Sequence, residues 1–431
     1  MSEVLWYIGG VLFIALGIGF SIGWHELGHL LPAKLFGIKV PRYMIGFGPT
    51  LFSKKRGETE YGLKAIPLGG YITMIGMYPP AKPGAKQRKG FGADSIQAAR
   101  DAHSEFVQPG DENRMFYKLP IYKRIIIMFG GPFMNLFLGL VLTLTALVGI
   151  GTYTRSTTVT EVSQCVPSSF TKQVVCTEAD AVGPAKVAEL QAGDIVLSVN
   201  GQSVRNWDEI TAYATNNPGE ISLGVKRGTT NLDLMITPAI VNRPMTTADG
   251  KTVNQNVPFF GVVLEPIRQS QTIDKAFVYS GNVISSTFGL IATLPVQVYE
   301  LVSSTIHGDQ RNSNGPISII GVGQAAGEIA SDPAATLLDK LGSGLMMLAS
   351  LNFALFAFNM IPLLPLDGGH IAGAIYEAFK KAIWRLRRKP NPGPADTAML
   401  MPITYVVSGL LILLSLVLLI VDLINPVSLG L

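Results

Sequence analysis

The chain has 431 residues, of which 48% are hydrophobic and only 15% are charged, and its mean hydropathy is +0.35. Ordinary soluble domains carry about 25% charged residues, so this composition indicates a membrane protein with a soluble part attached. The same figures exclude a disordered chain and a disulfide-dense secreted scaffold, and a net charge of +4 is too small to predict a nucleic-acid-binding surface.

The chain contains four apolar stretches long enough to cross a bilayer, which takes about 20 helical residues. They cover Val4–Trp24, Ile125–Ile150, Leu341–Leu366 and Met401–Val421. A fifth stretch, Ala276–Ile306, is also largely apolar but contains polar residues such as Gln297 and Glu300. We expect it to lie as a helix in the outer membrane interface, because a fifth span would place the basic segment after the third span outside.

The distribution of lysine and arginine predicts the orientation. Leu30–Arg124 carries 16 of these residues, and the short segment 380–389 carries six more. By the positive-inside rule both segments are cytoplasmic. The long segment 151–340 is acidic on balance, so it and both termini are predicted to be extracytoplasmic.

The first span ends in the motif His25-Glu26-Leu27-Gly28-His29. Histidines at positions i and i+4 lie one above the other on a helix and can bind one metal ion together. Glu26 can take a proton from a water molecule on that metal, as in zinc-dependent peptide hydrolysis. Ionisable residues within a membrane span are costly, so the motif predicts a functional site rather than a structural one.

The segment between the second and third spans is strand-like, with β-branched runs separated by turn residues. Predicted strands are Thr157–Val162, Ile195–Val199, Ile221–Lys226, Leu232–Thr237 and Phe259–Leu264. The stretch from Gly183 to Gly201 resembles a PDZ domain, a family that binds a peptide as an added strand. Phe259–Val262 resembles the PDZ loop that takes a terminal carboxylate, or it could equally be a plain core strand.

Cys165 and Cys176 both lie in this extracytoplasmic insert. Disulfides persist outside the cytoplasm, so we expect a bridge that closes a short loop, with two separate thiols as the alternative.

A catalytic zinc site needs a third protein ligand, and the end of the third span offers two. Asp367 and His370 follow Pro362 and Pro365, which break the helix at a depth where irregular backbone must line a cavity or be buried in protein. The residues alone do not choose between Asp367 and His370.

These motifs together resemble the bacterial site-2 proteases, which are intramembrane zinc metalloproteases with a PDZ domain, of the regulator-of-sigma-E protease type. The matching motifs are H-E-x-x-H at His25–His29, Gly-Pro-x-x-Asn at Gly131–Asn135, and N-x-x-P…L-D-G from Asn359 to Gly368. The resemblance implies that zinc is held by His25, His29 and Asp367, that Glu26 is the general base, and that His370 is a neighbour.

The resemblance also implies roles for residues around the metal. Asn359 is implied to steady the substrate backbone or the developing oxyanion. Residues 66–72, which include Gly69, Gly70 and Tyr71, are similar to the family's membrane-reentrant β-strands. A strand edge there, such as Ile66–Met74, could capture an unwound substrate by β-augmentation.

The predicted fold is therefore a polytopic α-helical membrane protein with four transmembrane helices, membrane-reentrant β-strands and an extracytoplasmic PDZ-like α+β domain. The predicted segments are 1–31 (first span with the zinc motif), 32–124 (cytoplasmic and reentrant β region with a polar insertion), 125–150 (second span), 151–268 (PDZ-like domain), 269–340 (interfacial helix and linker), 341–370 (third span with the third ligand), 371–400 (cytoplasmic loop) and 401–423 (fourth span).

The predicted function is regulated intramembrane proteolysis of membrane-anchored single-span proteins, anti-sigma factors among them, with Zn²⁺ as cofactor. The partners are these substrates, a peptide or substrate segment on the PDZ-like domain, and the bilayer; no nucleic acid is expected. Two alternatives stand beside it. One is a non-catalytic membrane scaffold whose zinc is structural or absent, and the other is a transporter, which would require internal repeats.

Overall fold

The computed structural model describes residues 2–81, 91–167, 176–177, 180–246, 252–308 and 315–426, so part of the predicted polar insertion, 82–90, lies outside the described residues. The chain divides into two compact units. Residues 1–146 and 273–431 form the first, which holds the predicted spans except for the last four residues of the second span, and residues 147–272 form the second.

The first unit begins with a long apolar helix and a small sheet. Its elements before the second unit are α1 (Ser2–Leu35), β1 (Arg42–Arg56), β2 (Thr59–Thr73), α2 (Phe91–Ser104) and α3 (Ile121–Leu144), which continues as a π-helical segment, Thr145–Ile150. Both long strands bend, so that Met44 of β1 pairs with Gly62 on one side and with Tyr71 on the other. The segment 70–73 therefore lies at an edge of this sheet.

The second unit is an antiparallel α+β domain. It comprises β3 (Thr152–Val162), α4 (Pro184–Val187), β4 (Ile195–Val199), β5 (Gln202–Ser203), α5 (Trp207–Asn216), β6 (Ile221–Arg227), β7 (Thr230–Ile236), β8 (Ala239–Thr246), β9 (Thr252–Phe259) and β10 (Val262–Gln269). The main sheet has the order β10-β3-β4-β6-β7, β5 pairs with β4, and β8 and β9 form a separate hairpin. Cys165 and Cys176 are joined by a disulfide.

The second unit has its own apolar core. Val159, Trp207 and Phe260 are buried in it, and the rings of Trp207 and Phe260 meet edge to face with centroids 5.2 Å apart. The predicted single strand Phe259–Leu264 is wrong, because β9 ends at Phe259 and β10 begins at Val262. Gly261 has a φ of +77°, a turn conformation that interrupts the strand at the point where Phe260 enters the core.

After the second unit the chain returns to the first unit as five helices. They are α6 (Ile273–His307), α7 (Ile319–Ser331), α8 (Leu337–Asn359), α9 (Asp367–Leu386) and α10 (Met401–Ile424). The predicted third span is too long, because α8 ends at Asn359. Pro362 and Pro365 follow and do not continue a helix. Asp367 instead begins α9, so the first half of the predicted loop 371–400 is helical.

Five described helices are long and apolar enough to cross a membrane, whereas the sequence analysis predicted four. The additional candidate is Ile273–His307, the segment predicted to lie in the interface. It is a single continuous helix of 35 residues, and its apolar 18-residue stretch has a mean hydropathy of 1.3, which is the lowest of the five. By length and composition alone, α6 therefore qualifies as a span.

Helices α1 and α8 run parallel and α3 packs between them. Residue numbers increase in the same direction along both helices at their contacts. Phe13 lies against Gly344, Gly17 against Leu348, and Ser21 against Asn352. The small residues Gly17, Ser21 and Gly344 at these contacts allow the close approach. The parallel packing brings the last turns of α1 and α8 to the same end of the helix cluster, and the candidate metal ligands lie at that end.

Candidate metal centre

Two histidines on α1 and one aspartate on α9 meet inside the first unit. His25 and His29 lie one turn apart on the same face of α1, with their Nε2 atoms 3.2 Å apart. Asp367 is the first residue of α9, and its Oδ2 lies 3.2 Å from His25 Nε2 and 3.3 Å from His29 Nε2. Within the described residues, these three side chains form the group that could hold a metal ion.

The spacing of the three atoms fits a tetrahedral zinc ion. Ligand atoms about 2.0–2.1 Å from zinc in tetrahedral geometry lie about 3.3–3.4 Å from one another. In addition, Asp367 Oδ2 is buried without a geometrically acceptable hydrogen-bond partner. A buried carboxylate oxygen facing two imidazole nitrogens needs a cation or protons between them. The donor set of two imidazoles and a carboxylate therefore suits zinc, with one tetrahedral position left open.

Each histidine is oriented by a hydrogen bond at its other ring nitrogen. His25 Nδ1 lies 2.5 Å from Asn135 Oδ1, and His29 Nδ1 lies 2.8 Å from the carbonyl oxygen of Ile127. Both partners are acceptors, so both Nδ1 atoms carry the proton and both Nε2 atoms present a lone pair toward Asp367. Such partners fix the tautomer and ring orientation of metal-binding histidines.

Asn135 is itself held by a buried chain of hydrogen bonds that joins three helices. Its Nδ2 donates to Asn352 Oδ1 at 2.8 Å, and Asn352 Nδ2 donates to Ser21 Oγ at 2.9 Å. Asn135 and Asn352 have no exposed surface, and Ser21 is 1% exposed. A buried amide with satisfied donors and acceptors has a defined orientation, so this chain fixes which end of Asn135 faces His25.

Glycines on α1 and α3 make room for the histidine rings. A Cβ atom on Gly131 would lie 2.2 Å from His29 Nε2 and 2.7 Å from His25 Nε2. One residue earlier, Gly130 lies so close to Gly28 that a Cβ on either would collide with the other's carbonyl oxygen. The two helices can therefore approach each other at this level only because side chains are absent.

Glu26 lies beside the histidines and faces the sheet. It is only 8% exposed, and its Cγ is 2.9 Å from the position that a Cβ on Gly70 would occupy. Gly70 belongs to the edge segment of β2, so the carboxylate stands between the candidate metal site and a strand edge.

The other predicted site residues make contacts outside the group of His25, His29 and Asp367. Gly69 packs against the ring of Phe47, and Tyr71 stacks on the same ring with centroids 6.3 Å apart. Asn359 is the last residue of α8, and its amide donates to the carbonyl of Leu355 at 3.0 Å. His370 is outside the three-residue group and lines a cavity with Arg124 and Thr397. The disulfide of Cys165 and Cys176 belongs to the second unit.

Sequence reasoning missed part of the centre. It identified Gly131 and Asn135 only as members of a motif and gave them no role, and it did not single out Asn352. An asparagine in the middle of an apolar span was the available signal, since polar residues at that depth usually have a partner.

The chain is similar to known zinc metalloproteases along nearly its whole length. The profile of peptidase family M50 matches residues 13–401. Zinc metalloprotease Rip1 of Mycobacterium tuberculosis (strain H37Rv) is 32% identical, and the match covers 98% of this chain and 99% of the relative. Metalloprotease MmpA of Caulobacter vibrioides is 27% identical with 83% of each chain covered. Zinc metalloprotease RasP of Shouchella clausii is 26% identical, covering 83% of this chain and 87% of the relative.

Proposed function

Because the chain belongs to peptidase family M50, the site-2 proteases, and is a zinc metalloendopeptidase with several apolar helices, we propose that it cleaves transmembrane segments of single-span proteins. The observation that carries this proposal is the group of His25, His29 and Asp367 among helices that could span a membrane. Membrane-anchored anti-sigma factors are the substrate class that we propose.

In this proposal His25, His29 and Asp367 hold the zinc ion. When bound, zinc polarises the scissile carbonyl and makes water nucleophilic at neutral pH. Glu26 takes a proton from the attacking water and returns it to the leaving amine as the peptide bond breaks. The low exposure of Glu26 supports this role, because a carboxylate shielded from bulk water can exchange protons with the reacting groups alone.

The substrate segment must unwind before it is cut, because helical amides are locked in internal hydrogen bonds. We propose that the edge segment 70–73 binds the unwound chain as an added strand. The contact of Gly70 with Glu26 supports this role, since a strand bound at this edge would run past the general base. Gly69 and Tyr71 would shape the edge, and Asn359, at the end of α8, would hold the substrate backbone or the oxyanion.

We further propose four spans, with α6 not crossing the bilayer. The parallel packing of α1 and α8 supports this count. Helix α3 returns the chain to the outer side, so an even number of crossings must separate α3 from α8. A crossing by α6 would need a second one, and α7 has only 13 residues, too few for a span of about 20 residues. The metal centre would then lie toward the cytoplasmic side, with the termini outside.

The second unit, in this scheme, is an extracytoplasmic PDZ-like domain that binds a peptide or a segment of the substrate. Its antiparallel sheet and single helix of ten residues, α5, are compatible with that role. If deletion of 151–268 left the preference for pre-cut over intact substrate unchanged, this part of the proposal would be wrong.

The experiment that tests the proposal compares Glu26→Gln with Glu3→Gln in vesicles that also contain a single-span substrate. Glu3 is an exposed glutamate at the other end of the same helix. The same substitution there controls for purification and reconstitution of a variant and for the loss of one negative charge. We expect Glu26→Gln to keep its zinc and lose cleavage by at least about 100-fold. Full cleavage by Glu26→Gln would refute the base assignment, and absence of cleavage by the wild-type chain would favour a scaffold.

A further inference from the structure

Helix α9, which begins at Asp367, has one face that is buried against the rest of the first unit. Glu377 is only 1% exposed and accepts hydrogen bonds from Lys381 Nζ at 2.6 Å and from the Ala395 backbone N–H at 2.8 Å. It also forms an ion pair with Arg124 of α3, with a distance of 2.7 Å to Arg124 Nη2. The buried carboxylate of Glu377 is therefore paired, and this face of α9 packs against α3.

The opposite face of α9 is apolar and exposed. Ile375, Phe379, Ile383 and Leu386 follow one another at intervals of three or four residues, and all four are exposed, Phe379 by 65% and Leu386 by 85%. This spacing places them in one stripe along the helix. Four large apolar side chains in a row are too many for an ordinary water-facing helix surface.

The end of α9 carries positive charge on both sides of this stripe. Arg385, Arg387, Arg388 and Lys389 are exposed, and none of them forms an ion pair with a described residue. Lys389 Nζ lies over the ring of Trp384, 5.8 Å from its centroid. An apolar stripe that ends in cations and a tryptophan is typical of a helix end at the headgroup region of an anionic membrane.

The direction in which α9 runs along α3 is compatible with a membrane environment. Its first residue lies at the metal centre near Gly131 of α3, and its eleventh residue pairs with Arg124, seven positions nearer the beginning of α3. Helix α9 therefore runs beside α3 from the interior of the helix cluster toward the end where the candidate span Ile121–Ile150 begins. The basic residues 385–389 follow Glu377 along the chain, farther from the metal centre.

We propose that α9 is a lipid-binding helix, with its apolar stripe in the acyl-chain region and the cations of 385–389 bound to anionic phospholipid headgroups. The sequence alone favours a topology signal as the reason for these cations. The structure adds that the segment is a continuous helix whose apolar stripe is exposed, with no described residue covering it. Because the same helix begins with Asp367, bound lipid would hold the third candidate ligand in place. The proposal requires a bilayer around the chain but not the cleavage reaction.

The first test measures headgroup preference. The protein is reconstituted into phosphatidylcholine vesicles, and its association with spin-labelled phosphatidylglycerol is compared with that of spin-labelled phosphatidylcholine. The variant replaces Arg385, Arg387 and Arg388 by Gln. The matched control replaces the three exposed cations at the end of β1, Lys54, Lys55 and Arg56, by Gln.

We expect the preference for phosphatidylglycerol to fall by about threefold or more in the α9 variant and to stay near the wild-type value in the control. An equal fall in both variants would mean that net charge alone sets the preference, and no fall in the α9 variant would remove the headgroup contact. Either result overturns the proposal.

The second test locates the apolar stripe without relying on the charges. Both cysteines of the chain are in the disulfide, so an introduced cysteine is the only free thiol. Spin labels at Phe379→Cys and, as a water-facing control, at Thr230→Cys are compared for collision with oxygen and with a water-soluble nickel complex. We expect oxygen to dominate at position 379 and nickel at 230. Nickel dominance at 379 would place the stripe in water or in a wet protein interface and refute the proposal.

Discussion

The side-chain amide of Asn135 donates a hydrogen bond to Asn352 Oδ1, 2.8 Å away, directly behind His25. This bond connects α8 to α3, and Asn135 carries the connection on to α1 through the 2.5 Å contact with His25 Nδ1. The orientation of one candidate ligand therefore depends on a residue that has no contact with the metal position.

Replacing either asparagine should weaken zinc binding. We expect Asn135→Leu and Asn352→Leu to lower zinc affinity by about 10- to 100-fold, because His25 loses the acceptor that fixes its tautomer or that acceptor loses its own support. Competition with a zinc chelator measures the affinity. Asn282→Leu, at an exposed position on α6, is the control, and equal affinity in all three variants would show that the hydrogen-bond chain has no part in the site.

A measurement of zinc content distinguishes Asp367 from His370 as the third ligand. We expect Asp367→Ala to lose zinc, because two histidines alone are a poor site, and His370→Ala to keep about one zinc per chain. Elemental mass spectrometry of detergent-purified protein gives the content. Retention in the Asp367 variant with loss in the His370 variant would reverse the assignment of the third ligand.

Gly131→Ala should disrupt the metal centre through volume alone. The added methyl group would stand 2.2 Å from His29 Nε2, so a ring or a helix must move. We expect zinc content to fall well below that of the wild type. Gly149→Ala, near the end of the same span, should bind zinc normally, because no described residue outside its own helical turn lies within 4 Å of the new Cβ. Comparable zinc content in the two variants would contradict the steric argument.

The second unit should show an acid-dependent stability that comes from Asp194. Burial by itself raises the pKa of Asp194, but hydrogen bonds from Arg227 and from the Gln191 backbone outweigh burial and hold the pKa below its usual value. A lowered folded pKa means that the stabilisation is complete above the usual carboxyl pKa of about 3.9 and is lost as the pH falls through the lowered value.

Urea unfolding of the isolated segment 147–272, followed by its single tryptophan, Trp207, tests this prediction. We expect Asp194→Asn to lower the free energy of unfolding by about 1–3 kcal/mol at pH 7 and to flatten its dependence on pH below 4. Asp233→Asn, at an exposed position, should leave both unchanged. A wild-type pH profile in Asp194→Asn would mean that other carboxylates cause the acid sensitivity.

The sequence was sufficient where a local pattern carries the information. The spacing of His25 and His29 predicted their common face on a helix. Four of the five predicted strands of the second unit correspond to β3, β4, β6 and β7, which are four of its eight described strands. The choice of Asp367 over His370 needed the family resemblance, because which of two neighbouring side chains points at the histidines depends on how α9 begins. That depends in turn on packing against α3 and not on a local pattern.

The sequence analysis did not predict the break at Gly261 or helix α9, and each omission has a physical reason. The break at Gly261 was overlooked because both flanking segments are good strand formers. Helix α9 was taken for a loop because its basic residues dominated the interpretation, although Ile375, Phe379 and Ile383 have helical spacing. The interfacial position of α6 stays a prediction, because length and composition alone cannot separate a span from an interfacial helix.

The distance along the chain between His25 and Asp367 has a consequence for biosynthesis. These residues stand 342 positions apart, and Asp367 joins the histidines only when α8 has packed parallel to α1 and α9 has begun. A nascent chain that has inserted α1 and α3 has the two histidines but not the carboxylate. In the proposed site, hydrolytic capacity therefore arises only late in translation, so the incomplete enzyme cannot cut neighbouring proteins at the site of membrane insertion.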